Sequence, residues 1–250
     1  MLAPPSFGVG RIAAQDRIDQ WIAAVAPGRS LVDIGGLGEG GGHERCSWAL
    51  RCGAVNVAMA DILPLKHELW RHFQDRRRAH GVADIALHPE MDVNAADFPK
   101  ALGRYDIVNA TGILQHCPHP IQTLLNLRRV VGEYLITNTV VIPDVVENEA
   151  GRVSFPAASA LFLPALRGRE RAVLRRHYLD RFDVDLDLHA PLSDGGITPY
   201  LLKNGEPSPW PYWWFFTKSA FEQALEMLEM RILDRHTWQD HAHFIFLKAR

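Results

Sequence analysis

The sequence lacks any run of about 18 consecutive apolar residues, so none of it reads as a membrane-spanning helix. Its first stretch, MLAPPSFGVGRIAAQD, has no basic segment ahead of an apolar core, which predicts no secretory leader. Cysteine is scarce: Cys46, Cys52 and Cys117 are an odd number without C-x-x-C spacing. That argues against a disulfide framework or a structural zinc site and suits a reducing compartment, the cytoplasm. Excess charge is missing too. With 27 Lys and Arg against 29 Asp and Glu, the net charge is −2, so no global attraction to nucleic acid or to an anionic membrane follows. Repeats and low-complexity tracts are absent, which argues against a solenoid. What is present, 250 residues of which 47% are hydrophobic, is enough to bury a full core in one domain spanning residues 1–250.

The apolar pattern alternates between two periods. Ile12, Ile18, Trp21, Ile22 and Val25 recur at helical spacing, and Pro27-Gly28 ends that helix before a strand from Ser30 to Ile34. HERCSWALRCG predicts a helix closed by Gly53, and AVNVAMAD a buried strand ending at Asp61. LKHELWRHFQDRRRAHG predicts an amphipathic helix, and ADIALHPEMDV a third strand. Tyr105 to Ala110 is a fourth strand, a helix starts near Pro120, and EYLITNTVV follows as a strand. This is a doubly wound α/β pattern. Regularity lapses over residues 143–211, an insertion, and returns with the helix TKSAFEQALEMLE and the strands MRILDRHTW and HAHFIFLKAR. The last two are too close for a helical crossover, so they should pair antiparallel.

The stretch SLVDIGGLGEGGG places a strand and an aspartate directly ahead of a glycine loop. Gly36, Gly38 and Gly41 satisfy G-x-G-x-x-G, and Asp61 lies at a suitable distance for a ribose-binding acid, so a dinucleotide site is allowed. Asp33 opposes that reading, because a diphosphate normally meets backbone N–H groups and a helix N-terminus rather than a carboxylate. S-adenosylmethionine carries an ammonium group and a cationic sulfur, both of which Asp33 attracts.

VDIGGLGEGGG resembles motif I of the class I S-adenosylmethionine-dependent methyltransferases, and GAVNVAMAD is similar to their second-strand motif. YDIVNATGILQHCPHP resembles the fourth-strand motif of bacterial members with a G-x-L-x-H signature. The resemblance implies a Rossmann-like methyltransferase fold: a mostly parallel seven-stranded sheet with one antiparallel strand and an insertion before the last helix. It implies that Gly35, Gly36 and Gly38 let the backbone approach the methionine portion, and that Asp61 holds the ribose hydroxyls. Asp92 would accept from the adenine amino group, with Met91 and Val93 packing nearby, and Asn109 would lie near the methionyl group and the acceptor. His116 and His119 flank the Cys-Pro after the fourth strand, and His116 is the candidate base if the acceptor needs deprotonation.

The implied reaction is in-line methyl transfer to a small molecule, with residues 143–211 as a substrate lid. YWWFFTKSAFEQAL and the fourth-strand motif also resemble the bacterial wobble-uridine carboxymethyltransferases, which keeps a tRNA acceptor open as the alternative. An NAD-dependent oxidoreductase and a non-catalytic S-adenosylmethionine-binding protein are the rivals outside that class. Neither His116 and His119 nor His241 and His243 have enough accompanying ligands for a metal site. The arginines from Arg167 to Arg181 predict a solvated helix face or a clamp for a phosphate or carboxylate, and WPYWWFF an aromatic acceptor wall or plain packing. DVDLDLH alternates acids with apolar residues, as a strand with one wet face would. No oligomeric state is specified.

Overall fold

Strand β1 (Ser30–Ile34) buries four of its five residues without the polar alternation of a half-exposed strand. That is the mark of a parallel sheet covered on both faces. The computed structural model describes residues 9–37, 44–79, 81–82, 85–182, 186 and 212–250, with side chains from Ala14 onward. Chain order is α1 (Val9–Val25), β1, α2 (Cys46–Arg51), β2 (Asn56–Ala60), α3 (Glu68–Ala79), β3 (Ile85–His88), α4 (Phe98–Leu102), β4 (Tyr105–Ala110), α5 (Pro120–Val130) and β5 (Val131–Ile142). The insertion contributes β6 (Val145–Asn148), β7 (Gly151–Ser154), β8 (Ala160–Phe162) and α6 (Gly168–Phe182). Then follow β9 (Trp214–Thr217), α7 (Lys218–Glu226), β10 (Met230–Trp238) and β11 (Ala242–Ala249).

The main sheet runs β10-β11-β5-β4-β1-β2-β3. Strands β1 to β5 pair parallel, and β11 is antiparallel to both β5 and β10, so it alone reverses direction among the seven. Successive side chains alternate between faces. Leu31, Val57, Met59, Ile107 and Ile136 meet Trp21 and Ile22 of α1 and Trp70 and Phe73 of α3. Val32, Ala58, Val108 and Leu135 meet Leu124 and Leu127 of α5 and Phe221 of α7. The doubly wound fold and the antiparallel closing pair are as the sequence predicts.

Three local expectations need correction. Helix α2 begins at Cys46, not near His43: the Arg45 N–H donates to Asp33 Oδ2 at 2.6 Å, and Glu44 Oε2 accepts from Ser47 N at 3.0 Å. Strand β3 ends at His88, because Pro89 has no N–H for the ladder and Glu90 adopts φ 57°. Asp92 and Val93 therefore sit in a turn. The insertion is regular over its described part: β6 and β7 form a hairpin, β8 pairs β9, and β9 pairs parallel with Val141 and Ile142 at the end of β5.

A third apolar cluster belongs to the insertion, with Val173, Leu174 and Tyr178 of α6 packed on Val140, Val146 and Phe215. The Tyr178 hydroxyl donates to Val141 O at 2.9 Å, tying α6 to the central strand. The segment DVDLDLH lies outside the described residues apart from Leu186, a buried turn residue. Among the described residues no helix is long and apolar enough to cross a membrane.

Candidate active site

From β1 the chain winds outward through β2 to β3, then returns to β4 on the other side of β1. The strand order reverses there, and the carboxyl ends of the strands at such a point are the usual ligand position in these sheets. Asp33 and Asn109 are register partners across β1 and β4 at this point. Both are buried, at 1% and 0% exposure. Asp33 Oδ1 accepts from Asn109 Nδ2 at 2.7 Å, and its Oδ2 accepts from Arg45 N at 2.6 Å. Burial nevertheless pushes the Asp33 carboxyl up to about 7, since two hydrogen bonds do not offset the loss of water. Asn109 spends its amide hydrogens on Asp33 and Thr111, which leaves its buried Oδ1 without a donor.

The loop after β1 folds onto this pair. Gly35 has φ 74°, and a Cβ there would overlap Ile113 Cγ2. A Cβ on Gly36 would lie 2.5 Å from Asp33 Oδ2 and 3.0 Å from Met59 Cε. Gly36 thus makes room for the Asp33 carboxylate. Gly38 lies outside the described residues. The loop returns through Arg45, whose buried guanidinium is 2.9 Å from Asp19 of α1.

Asp61 follows β2 at 6% exposure, with Oδ1 accepting from Leu63 N at 3.0 Å. Burial raises its carboxyl, opposed by the amides of Leu63, Leu37 and Ile62. The 91–95 turn is stitched to it, because Met91 N donates to Asp61 O at 2.9 Å. Asp92 is exposed and closes an Asx turn on Asn94 N at 2.8 Å, while Val93 is buried. Two residues of α5 that the sequence reading missed hold this turn. Buried Asn126 donates to Val93 O and Ala95 O, both at 2.8 Å, and Thr123 Oγ1 donates to Asn94 Oδ1 at 2.8 Å. Their only signal in the sequence is polarity on the buried side of an amphipathic helix.

His116 sits half-buried in a single 3-10 turn after β4, and its ring centroid is 4.8 Å from that of Tyr212. The segment that follows the insertion is clipped to the same turn, since Trp213 N donates to Gln115 O at 2.8 Å and Trp214 Nε1 to Pro118 O at 3.1 Å. Buried Gln115, also missed, donates from Nε2 to Gly112 O at 2.9 Å and leaves Oε1 without a partner. Within the aromatic run Trp213, Phe215 and Phe216 are buried, so packing accounts for them, while Tyr212 and Trp214 are half-buried beside the turn. His119 is exposed at the start of α5.

Other titratable clusters have local explanations. Asp33, Glu44 and Cys46 bring ligand atoms within 4.8 Å of one another. Each is engaged: Glu44 caps α2, Asp33 accepts two N–H groups, and the buried Cys46 thiol donates to Ala58 O at 3.3 Å. His243 bridges Thr237 Oγ1 and Glu222 Oε1, both at 2.8 Å, and His241 stacks on Phe182 with burial pushing its pKa down to about 3.

No protein-family model matches the chain. A curated relative, the tRNA U34 carboxymethyltransferase of Chromohalobacter salexigens, is 28% identical over 202 residues, covering 76% of this chain and 57% of that protein. The chain thus spans little more than half the length of that relative. Among solved structures, magnesium protoporphyrin IX methyltransferase from Synechocystis PCC 6803 with bound SAH superposes with a TM-score of 0.57 at 14% identity, covering 97% of this chain and 84% of that one. An S-adenosylmethionine dependent methyltransferase from Mesorhizobium loti gives 0.53 at 13% identity, covering 96% and 98%. The strand order and the lone reversed strand are those that these methyltransferase structures share, and the chain has their Rossmann-like fold.

Proposed function

We propose that the chain transfers the methyl group of S-adenosylmethionine to a nucleophilic atom of a small-molecule acceptor. The observation that carries this reading is the Asp33–Asn109 pair, a buried carboxyl beside an amide oxygen that lacks a donor. An ammonium group satisfies both oxygens, whereas the diphosphate of a nicotinamide dinucleotide meets the carboxylate with like charge. Asp33, Asn109, Gly35, Gly36 and Gly38 would hold the amino-acid end, and Asp61 the ribose hydroxyls. Asp92 turns only Oδ1 to Asn94, leaving its second oxygen for the adenine amino group beside Val93.

The bound cofactor supplies an electrophilic methyl on a cationic sulfur. The chain's part is to hold the acceptor in line and keep water out, which lowers the barrier through orientation. His116 takes the proton when the acceptor is a hydroxyl or a protonated amine, and Tyr212 borders the same space. The segment from Tyr212 to Trp214, just after the insertion, walls this side through the bond of Trp213 to Gln115, and the insertion covers the acceptor as a substrate lid.

A tRNA acceptor is the second reading, supported by the curated relative. Calorimetric titration with S-adenosylmethionine, S-adenosylhomocysteine and NAD tests the cofactor. The first two should bind and NAD should not, and Asp61→Ala should weaken binding about 10- to 100-fold, the worth of hydrogen bonds to a charged acceptor. Tight NAD binding, or an unchanged Asp61→Ala variant, sinks the assignment. Transfer of a radiolabelled methyl group to tRNA but to no small molecule would exchange the two acceptors.

A further inference from the structure

Strand β5 carries a polar side chain at the carboxyl edge that the cofactor reading leaves unused. Ala110, the last residue of β4, pairs with Thr137, so Asn138 stands one residue beyond it. Asn109 pairs with Ile136, and alternation along β5 puts Asn138 on the same face of the sheet as Asn109 and its partner Asp33. Asn138 is 6% exposed. Its Oδ1 accepts from Gly112 N at 2.5 Å, and since only an oxygen can meet that N–H, the bond fixes the orientation of the carboxamide. The other end, Nδ2, has no acceptor among the described residues and is not sealed from solvent. Gly112 is exposed at φ 81°, and a Cβ there would meet nothing within 4 Å, so open space adjoins the residue that holds the amide. Its carbonyl accepts from Gln115 Nε2 at 2.9 Å, so the turn that carries His116 starts from a residue gripped at both ends.

We propose that Asn138 recognises the methyl acceptor by donating from Nδ2 to an uncharged carbonyl oxygen, an inference that rests on the methyltransferase reading and specifies its acceptor. The Gly112 N–H needs one oxygen, which Ser, Thr or Asp would supply without a surplus donor. A carboxamide adds N–H groups, and their desolvation at so buried a position is offset only when something accepts from them. The partner must therefore offer an acceptor. An ammonium group offers donors alone, and a carboxylate meets repulsion from Asp33 on the same face when that group is ionised. An uncharged carbonyl avoids both. His116 and Tyr212, whose rings lie 4.8 Å apart, edge the same turn, so an aryl group attached to the carbonyl has rings to pack against. Asn138 takes no proton in this scheme; it selects the acceptor and holds it, while the methyl group comes from the cofactor.

Heteronuclear NMR of the full chain, saturated with S-adenosylhomocysteine and titrated with acetophenone or with benzylammonium, tests the proposal. The Asn138 side-chain amide pair, assigned through its own backbone, should shift with acetophenone and stay in place with benzylammonium. Asn138→Asp keeps the oxygen that Gly112 N needs and inverts only the free end. It should bind acetophenone about tenfold more weakly and benzylammonium more tightly, with the affinity for S-adenosylhomocysteine retained. The wild-type shift decides the matter even where the variant folds poorly. An amide pair that ignores acetophenone, an equal response to benzylammonium, or a folded variant with undiminished acetophenone affinity overturns the proposal. Loss of S-adenosylhomocysteine binding in the folded variant also overturns it, because the residue then belongs to the cofactor. Wild-type chain that fails to bind S-adenosylhomocysteine removes the methyltransferase reading instead, and titration of the free chain with acetophenone then decides the carbonyl site by itself.

Discussion

At the carboxyl edge of β1 and β4 two polar side chains, Asp33 and Asn109, are buried at 1% and 0% exposure, whereas along α6 the arginines border an open groove and only the apolar side is buried. In the first region, polar groups removed from water hold one another in place and leave a single acceptor oxygen unsatisfied. Desolvation makes each of those interactions strong and selective. In the second, charge sits at the surface, as in the pairs of Arg176 with Glu149 and Asp180, where attraction is screened by salt. One region of the chain thus holds its polar groups away from water, and the other leaves them at the surface.

The comparison breaks most visibly at Gly36. Replacement by valine drives the new side chain into the Asp33 carboxylate, which a Cβ alone approaches to 2.5 Å. We expect the cofactor to bind about a hundredfold more weakly or worse, with about 1–3 kcal/mol lost from stability by overpacking. Calorimetry and urea unfolding measure the two, and undiminished affinity would show that the loop does not depend on Asp33. Asn109→Leu removes the unsatisfied acceptor and strips Asp33 of a donor, and should weaken cofactor binding about 10- to 100-fold. A cofactor affinity equal to that of the wild type would separate the pair from the ligand.

Proton linkage sharpens the contrast at smaller amplitude. Asp33 has a folded pKa of about 7, above the unfolded value of 3.8. It therefore contributes to ligand-free stability below about pH 4, and that contribution is lost as pH rises to about 7. Binding an ammonium group needs the ionised form, so cofactor affinity should move the opposite way, gaining up to about tenfold per pH unit on approach to 7 from below. Asp33→Asn should flatten the profile. A wild-type affinity that ignores pH would exclude the carboxylate from the contact. The smallest effect belongs to the insertion: Tyr178→Phe deletes the bond to Val141 O and should cost about 1 kcal/mol in urea unfolding with cofactor affinity untouched. A matching loss of cofactor affinity would mean that the two regions are coupled.

The strands of the sheet were legible because burial on both faces leaves largely apolar runs, as in Val57 to Ala60 and, around Asp33, Leu31 to Ile34. Asp33 and Asp61 stand out in the sequence because one interrupts such a run near its end and the other directly follows one. Asn126 and Thr123 were not, since their partners in the 93–95 turn lie about 30 positions away and an amphipathic pattern shows only that they are polar. The contact of Gly36 with Asp33 was not legible for the same reason: its neighbour is a side chain folded back across the loop, invisible to a linear pattern. The insertion appeared irregular because its strands are as short as three residues and one of them, β8, pairs with β9 more than 50 positions on.

What the sequence by itself determined was periodicity and punctuation: which segments are helix or strand, where they stop, and that a carboxylate stands at the mouth of a glycine loop. Those are properties of near neighbours, set by the spacing of apolar residues and by glycine and proline. Only the tertiary structure decided which polar groups lose water together. Asp33 acquired its raised affinity for protons, and Asn109 its stranded oxygen, when β4 was laid beside β1 and the loop closed over both, because desolvation depends on everything packed around a group and not on the residues flanking it in the chain.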